Sequence, residues 1–226
     1  MKVKIWSDTM CPFCYIAKKN FEKAMQQLSF AKEIEVEWKS YQLDPELQET
    51  SGSTNFGQYL MERKGFSVSK KGQFLQQLTD MGESSGVNFN FDKTYVANTF
   101  LAHKLLHLAK KYGKNSEMEE LLFQALFENG MNIADPELLI SLAEQLEIDK
   151  TVTREALVSN KVDYEVKQDF MEARNMAVSS VPFFVLDNKY SISGAQPVEV
   201  FLTALTQSYN ENLKSSESIE GSNCSC

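Results

Sequence analysis

Cys11 and Cys14 lie in the stretch "WSDTMCPFCYIAKKNFEKAM", residues 6–25, separated by Pro12 and Phe13. Two thiols at this spacing can close a short disulfide, supply half of a metal site, or pack as small apolar side chains. The other two of the chain's four cysteines, Cys224 and Cys226, fall in the last six residues, "GSNCSC". Four thiolates suffice in number for a zinc site. Zinc needs all of its ligands held in place, however, and from Ser215 onward the composition is that of a disordered tail.

Position separates the readings further. "KVKIWS" alternates Val3 and Ile5 with lysines and predicts a strand. Pro12 suits the first helical position, where its missing N–H costs nothing, and Ile16, Ala17, Phe21, Ala24, Met25 and Leu28 recur at helical spacing. A helix over 12–28 therefore starts at the cysteines, with Cys11 near its N-cap. There the free backbone N–H groups and the positive end of the macrodipole favour a thiolate. Cys14, one turn on, can attack a mixed disulfide on Cys11 and release the product. The pair then reads as nucleophile and resolver.

These residues must be positioned by a larger frame. "IEVEWKSYQL", residues 34–43, predicts a second strand, ended by Asp44-Pro45. From about 53 to 160 five segments show three-to-four spacing and no convincing strand, which predicts a helical bundle. A sixth helix, "DYEVKQDFMEARNMA", leads to Phe183–Leu186, a turn at Asp187-Asn188, a returning strand Tyr190–Ser193 and the helix "PVEVFLTALTQSYNENL". Two strands alone are not stable, so both ends of the chain must share one sheet. The boundaries follow as 1–50 with 161–213 for an α/β domain, 51–160 for an all-helical insertion, and 214–226 for a flexible tail.

With 42% hydrophobic residues, including 15 Phe and 8 Tyr, the chain can bury a core without disulfide staples. A net charge of -8 argues against nucleic acid, which requires a basic face. No run approaches the ~18 apolar residues of a membrane span, and "MKVKIWSDTM" lacks the apolar core of a signal peptide. A cytoplasmic location is expected, where a cysteine pair is more often catalytic, redox-sensing or metal-binding than a static crosslink.

A strand followed by "CPFCY" resembles the active site of the thioredoxin superfamily, and the long helical insertion resembles its DsbA-like branch. "VPFFVLDNKYSISGAQP", residues 181–197, and "NTFLAHKLLHLAKKYG", residues 98–113, resemble the proline loop and insertion helix of the FrnE-like subfamily. The resemblance spans residues 1 to about 210. It implies a thioredoxin-like mixed sheet, a cis Val181-Pro182 peptide packed against the two cysteines, and a Val181 backbone free to pair with an extended substrate. It also gives Asn98 and His103 a place lining the cleft over Cys11. The chain departs from the pattern at Ala177 and Ser180, where glycines are expected, and in its close C-x-C tail pair.

Other candidates have plainer readings. Phe13 exposes an apolar side chain near the sulfurs, suited to unfolded or hydrophobic protein substrates, while Phe183 and Phe184 read as strand core. His103 and His107 have the spacing of two ligands on one helix face, but no acidic residue accompanies them, so helix surface or core is expected. Asp8 is expected to face solvent, and "EMEE" and "AKK" read as solvated helix faces.

The expected activity is thiol–disulfide exchange with protein thiols or disulfides at Cys11–Cys14, with Pro182 and Val181 positioning the partner. No bound cofactor or metal is expected. Glutathione or a thioredoxin system would reset the pair, and Cys224–Cys226 is a candidate secondary redox pair. Rival readings are a glutathione-dependent isomerase or transferase of polyketide or aromatic compounds, a redox-switched binding adaptor, and a zinc protein. Substrate, direction of electron flow and oligomeric state lie beyond the sequence.

Overall fold

The structure is a computed structural model that describes residues 1–48 and 54–220; Cys224 and Cys226 lie outside the described residues. Strand β1 (Lys2–Ser7) leads into helix α1 (Pro12–Gln27), and β2 (Glu35–Ser40) follows. Helices α2 (Phe56–Lys64), α3 (Val68–Ser85), α4 (Phe100–Lys111), α5 (Asn115–Phe123), α6 (Pro136–Gln145), α7 (Lys150–Val158) and α8 (Asn160–Asn175) come next. The chain then returns through β3 (Phe183–Leu186), β4 (Tyr190–Ser193) and α9 (Val198–Glu220).

The strands form one sheet in the order β2-β1-β3-β4. β2 runs parallel to β1, and β3 runs antiparallel to it with Val3 opposite Leu186 and Ile5 opposite Phe184. The two ends of the chain thus share a sheet, as the instability of isolated strand pairs requires. Side chains alternate across a strand, which gives the sheet two different faces. Val3, Ile5, Trp38, Phe184, Leu186 and Ile192 pack under α1 and α9 against Phe21, Phe201 and Leu205. On the opposite face Lys4 and Lys39 meet Glu172 of α8, and Trp6 Nε1 donates to the Asp169 carbonyl at 3.3 Å.

Two parts of the helical reading change. The segment "KTVTREALV" forms a separate helix, α7, started by Asp149, whose carboxylate accepts from Thr151 and Val152 N–H. α9 continues to Glu220, so the tail expected from 214 begins inside a helix. Its Ser, Glu and Lys residues contain no Gly or Pro to stop propagation until Gly221.

Candidate active site

Cys11 is the N-cap of α1 with extended backbone (φ -95°, ψ 109°), and Pro12 occupies the first helical position. The turn before it is closed by Cys11 N–H donating to the Asp8 carbonyl at 2.9 Å, and Cys14 N–H returns to the Cys11 carbonyl at 3.0 Å. No side chain caps the helix. The sulfur of the N-cap residue is therefore left to the open end of α1. Both thiols are free, and only 3% of Cys11 and 1% of Cys14 is exposed.

The Val181-Pro182 loop closes over this turn. Its peptide bond is cis, both residues are buried, and the Cys11 thiol faces the Val181 carbonyl at 3.6 Å. The Pro182 carbonyl accepts from Gly194 N–H at 2.9 Å, which ties the loop to the end of β4. The β1–β3 ladder begins at Phe183, so the Val181 main chain is not used by the sheet.

Phe13 is half-buried and packs against the Phe74 ring of α3 at 5.9 Å, making a partly sheltered wall rather than a free side chain. Asn98 is also engaged: its amide donates to the Leu47 carbonyl at 2.6 Å, and its oxygen accepts from Gln42 and from Phe100 N–H. It clamps the segment after β2 onto the start of α4. His103 is 1% exposed, with Nε2 at 3.5 Å from the Asp8 carboxylate and its ring edge-on to Phe170. His107 lies one turn along α4 and binds a different acid, Asp169, at 3.0 Å. The two histidines serve separate contacts and share no ligand. Among the described residues no three His, Cys, Asp or Glu side chains converge as a metal site.

Asp8 corrects an expectation. It is fully buried, because the Met10 and Leu43 N–H groups, at 3.3 and 2.7 Å, replace the water its carboxylate would otherwise need. Leu43 is distant in sequence, and nothing local to Asp8 announces that donor. "EMEE" is the second correction. Glu119 is 1% exposed, and both its carboxylate oxygens lack a hydrogen-bond partner among the described residues. Met118, Leu122, Phe123 and Leu126 are buried along the same face, so Glu119 falls inside an apolar stripe. That spacing was the available signal.

Burial pushes the Glu119 carboxyl up to about 8, against the weaker pull of Ser7 and Lys18. Burial also holds the Cys14 thiol well above its ordinary range, and the adjoining Cys11 sulfur adds to it. The Ser7 hydroxyl adjoins both groups and closes a hydrogen bond with neither. Nearby, Tyr15 packs its ring on Phe123 at 4.9 Å and its hydroxyl lies 2.7 Å from Glu128 and 3.0 Å from Glu120. Lys18 is buried beside Glu22 and Glu120, whose charges overcome the cost of burial and raise its pKa. These contacts lock the cysteine helix to α5.

An uncapped Cys11, a buried Cys14 and a peptide loop against the first sulfur form a site suited to thiol–disulfide exchange. Known proteins carry the same frame. The Bacillus subtilis (strain 168) protein YwbO is 30% identical over 206 residues, covering 90% of this chain and 95% of its own. The probable DsbA oxidoreductase SCO1869 from Streptomyces coelicolor superposes with a TM-score of 0.88 at 33% identity, covering 93% of this chain and 91% of its own. The cytosolic disulfide reductase DsbM from Pseudomonas aeruginosa, solved also with GSH, shares the fold at 14% identity and a TM-score of 0.67, over 92% of this chain and 98% of its own. Residues 2–206 match one family description across both the Cys11 segment and the proline loop, and the chain belongs to the DSBA-like thioredoxin domain family.

Proposed function

We propose that the chain is a thiol–disulfide oxidoreductase that exchanges disulfides with protein substrates through Cys11 and Cys14. The observation that carries this reading is the 3.6 Å approach of the Cys11 thiol to the Val181 carbonyl, which joins the helix start and the proline loop in one site. An extended substrate segment pairs with the Val181 main chain by strand addition, which tolerates many sequences. The Cys11 thiolate attacks a substrate sulfur, the substrate disulfide breaks, and one substrate thiolate leaves. Cys14 loses its proton and attacks the Cys11 sulfur, releasing the second thiolate and leaving the Cys11–Cys14 disulfide. That proton passes to the substrate thiolate already released.

No described helix is long and apolar enough to cross a membrane, and we place the protein in the cytoplasm. The poise there, about -220 mV or lower, favours net reduction of substrates, with glutathione or a thioredoxin system restoring the dithiol. The test is insulin reduction and RNase refolding with the wild type, C11S and C14S. Activity should vanish in C11S, and C14S should accumulate mixed disulfides with cellular proteins. An inactive, natively folded wild type would overturn the proposal.

A further inference from the structure

A small cleft of about 160 Å³ adjoins the proposed site on the β2 side, bounded by Tyr41, Gln42, Pro45, Phe170, Arg174 and Val178. Its placement relative to Cys11 follows from hydrogen bonds. Tyr41 N–H donates to the Ser7 carbonyl at 2.9 Å and Leu43 N–H to the Asp8 carboxylate at 2.7 Å, while the Asp8 carbonyl holds Cys11 N–H. The opposite wall is Val178, which ends α8 by donating to the Ala173 carbonyl at 2.9 Å. Only Ser179 and Ser180 separate it from Val181, at most about 10 Å of chain. One cleft therefore touches both segments that build the site.

Besides Gln42, which donates to Asn98, its polar groups are donors without an acceptor among the described residues. The chain has three arginines; Arg63 and Arg154 are in salt bridges with Asp44 and Glu137. Arg174 has no acidic partner among the described residues, although the chain carries eight more acidic than basic groups. Its neighbour Glu172 is taken by Lys4 and Lys39. The Tyr41 hydroxyl likewise has no hydrogen-bond partner among the described residues. Two such donors above walls of Pro45, Phe170 and Val178 suit a carboxylate on a short aliphatic stem, since a guanidinium binds carboxylate oxygens in a bidentate fork.

We propose that this cleft binds the free carboxylate of a short disulfide-bearing peptide, of the glutathione disulfide class, while its sulfur exchanges at Cys11. The assignment rests on the oxidoreductase reading and names a small substrate for the same dithiol. The Cys11 thiolate attacks one sulfur of the peptide disulfide, forming a Cys11–peptide mixed disulfide and releasing one peptide thiolate. The Cys14 thiolate then attacks Cys11 and releases the second. Two electrons pass from the dithiol to the peptide disulfide, and a separate dithiol reductant, a thioredoxin system or dithiothreitol in the assay, reduces the Cys11–Cys14 disulfide by the same two exchanges and so restores the dithiol.

The experiment compares kcat/KM for glutathione disulfide with that for its fully esterified form, in the wild type, R174Q and Y41F, with insulin reduction as a parallel readout. A charge-assisted pair predicts about a tenfold preference for the free acid in the wild type. R174Q should reduce that preference to about twofold and leave ester turnover and insulin reduction unchanged, and Y41F should lose a smaller part of it. The cleft assignment is overturned if acid and ester react equally in the wild type, or if R174Q slows both alike. Insulin reduction without exchange of either small disulfide overturns the cleft and leaves the oxidoreductase reading standing. Loss of all three activities in folded wild-type protein overturns both.

Discussion

Glu119 shows how one side chain can make stability depend on pH. Burial raises its folded pKa from 4.5 to about 8, so between these values the folded chain binds a proton that the unfolded chain has released. Stability is fully present below about 4.5 and falls as pH rises to about 8, by on the order of 1.4 kcal/mol for each pH unit crossed between them. E119Q should match the wild type near pH 5 and exceed it at pH 9 by a few kcal/mol. Urea unfolding at pH 5, 7 and 9 measures this, and a difference independent of pH would refute it. The acid limb has the opposite sign. Burial opposes ionisation of Glu37, but Lys110, Lys2 and Lys39 hold its carboxyl below the usual range. His107 and the Ser40 N–H do the same for Asp169. That stability is present above the ordinary carboxylate pKa and is lost as pH falls, and E119Q should leave it unchanged.

At the scale of elements, period and punctuation in the chain were good guides. β3 and β4 match the apolar run and its returning partner residue for residue, and α1 starts at Pro12 as proline's geometry requires. Long-range partners were not readable: the Leu43 N–H that buries Asp8 is 35 residues away. Glu119 was concealed by charge, since "EMEE" looks solvated until the apolar stripe on both sides of it is counted. α7 went unread because its boundary is a single Asp149 cap with no Gly or Pro beside it. Two glycines with left-handed backbone make the role of such punctuation measurable. Gly65 (φ +68°) has open space around a hypothetical Cβ, whereas at Gly130 (φ +68°) the Lys93 carbonyl would lie at 2.5 Å. G65A should cost about 1 kcal/mol, the price of left-handed backbone alone. G130A should cost at least about 3 kcal/mol, because backbone must also shift. Equal midpoints in urea would show that the close approach at Gly130 relaxes freely.

Over the whole molecule, α9 is tied down at both ends of the sheet. The helix starts beside Gln196, whose carbonyl accepts from Asn20 of α1, at the Cys11 end of the sheet. Its second half is fastened at the opposite end, where Asn212 donates to Asp187 at 2.6 Å and Tyr190 to Glu211 at 2.7 Å. From Asn212 to Glu220 the helix carries the chain about 12 Å further out, and β1 alone separates the two ends of the sheet by about 20 Å. Cys224 and Cys226, the candidate secondary redox pair, lie outside the described residues; C224S and C226S, with insulin reduction as the readout, test that role.

Fastened at both ends of the sheet, α9 makes them one cooperative unit: its amides between Phe201 and Ser208, both buried, should exchange with solvent only when the whole sheet opens.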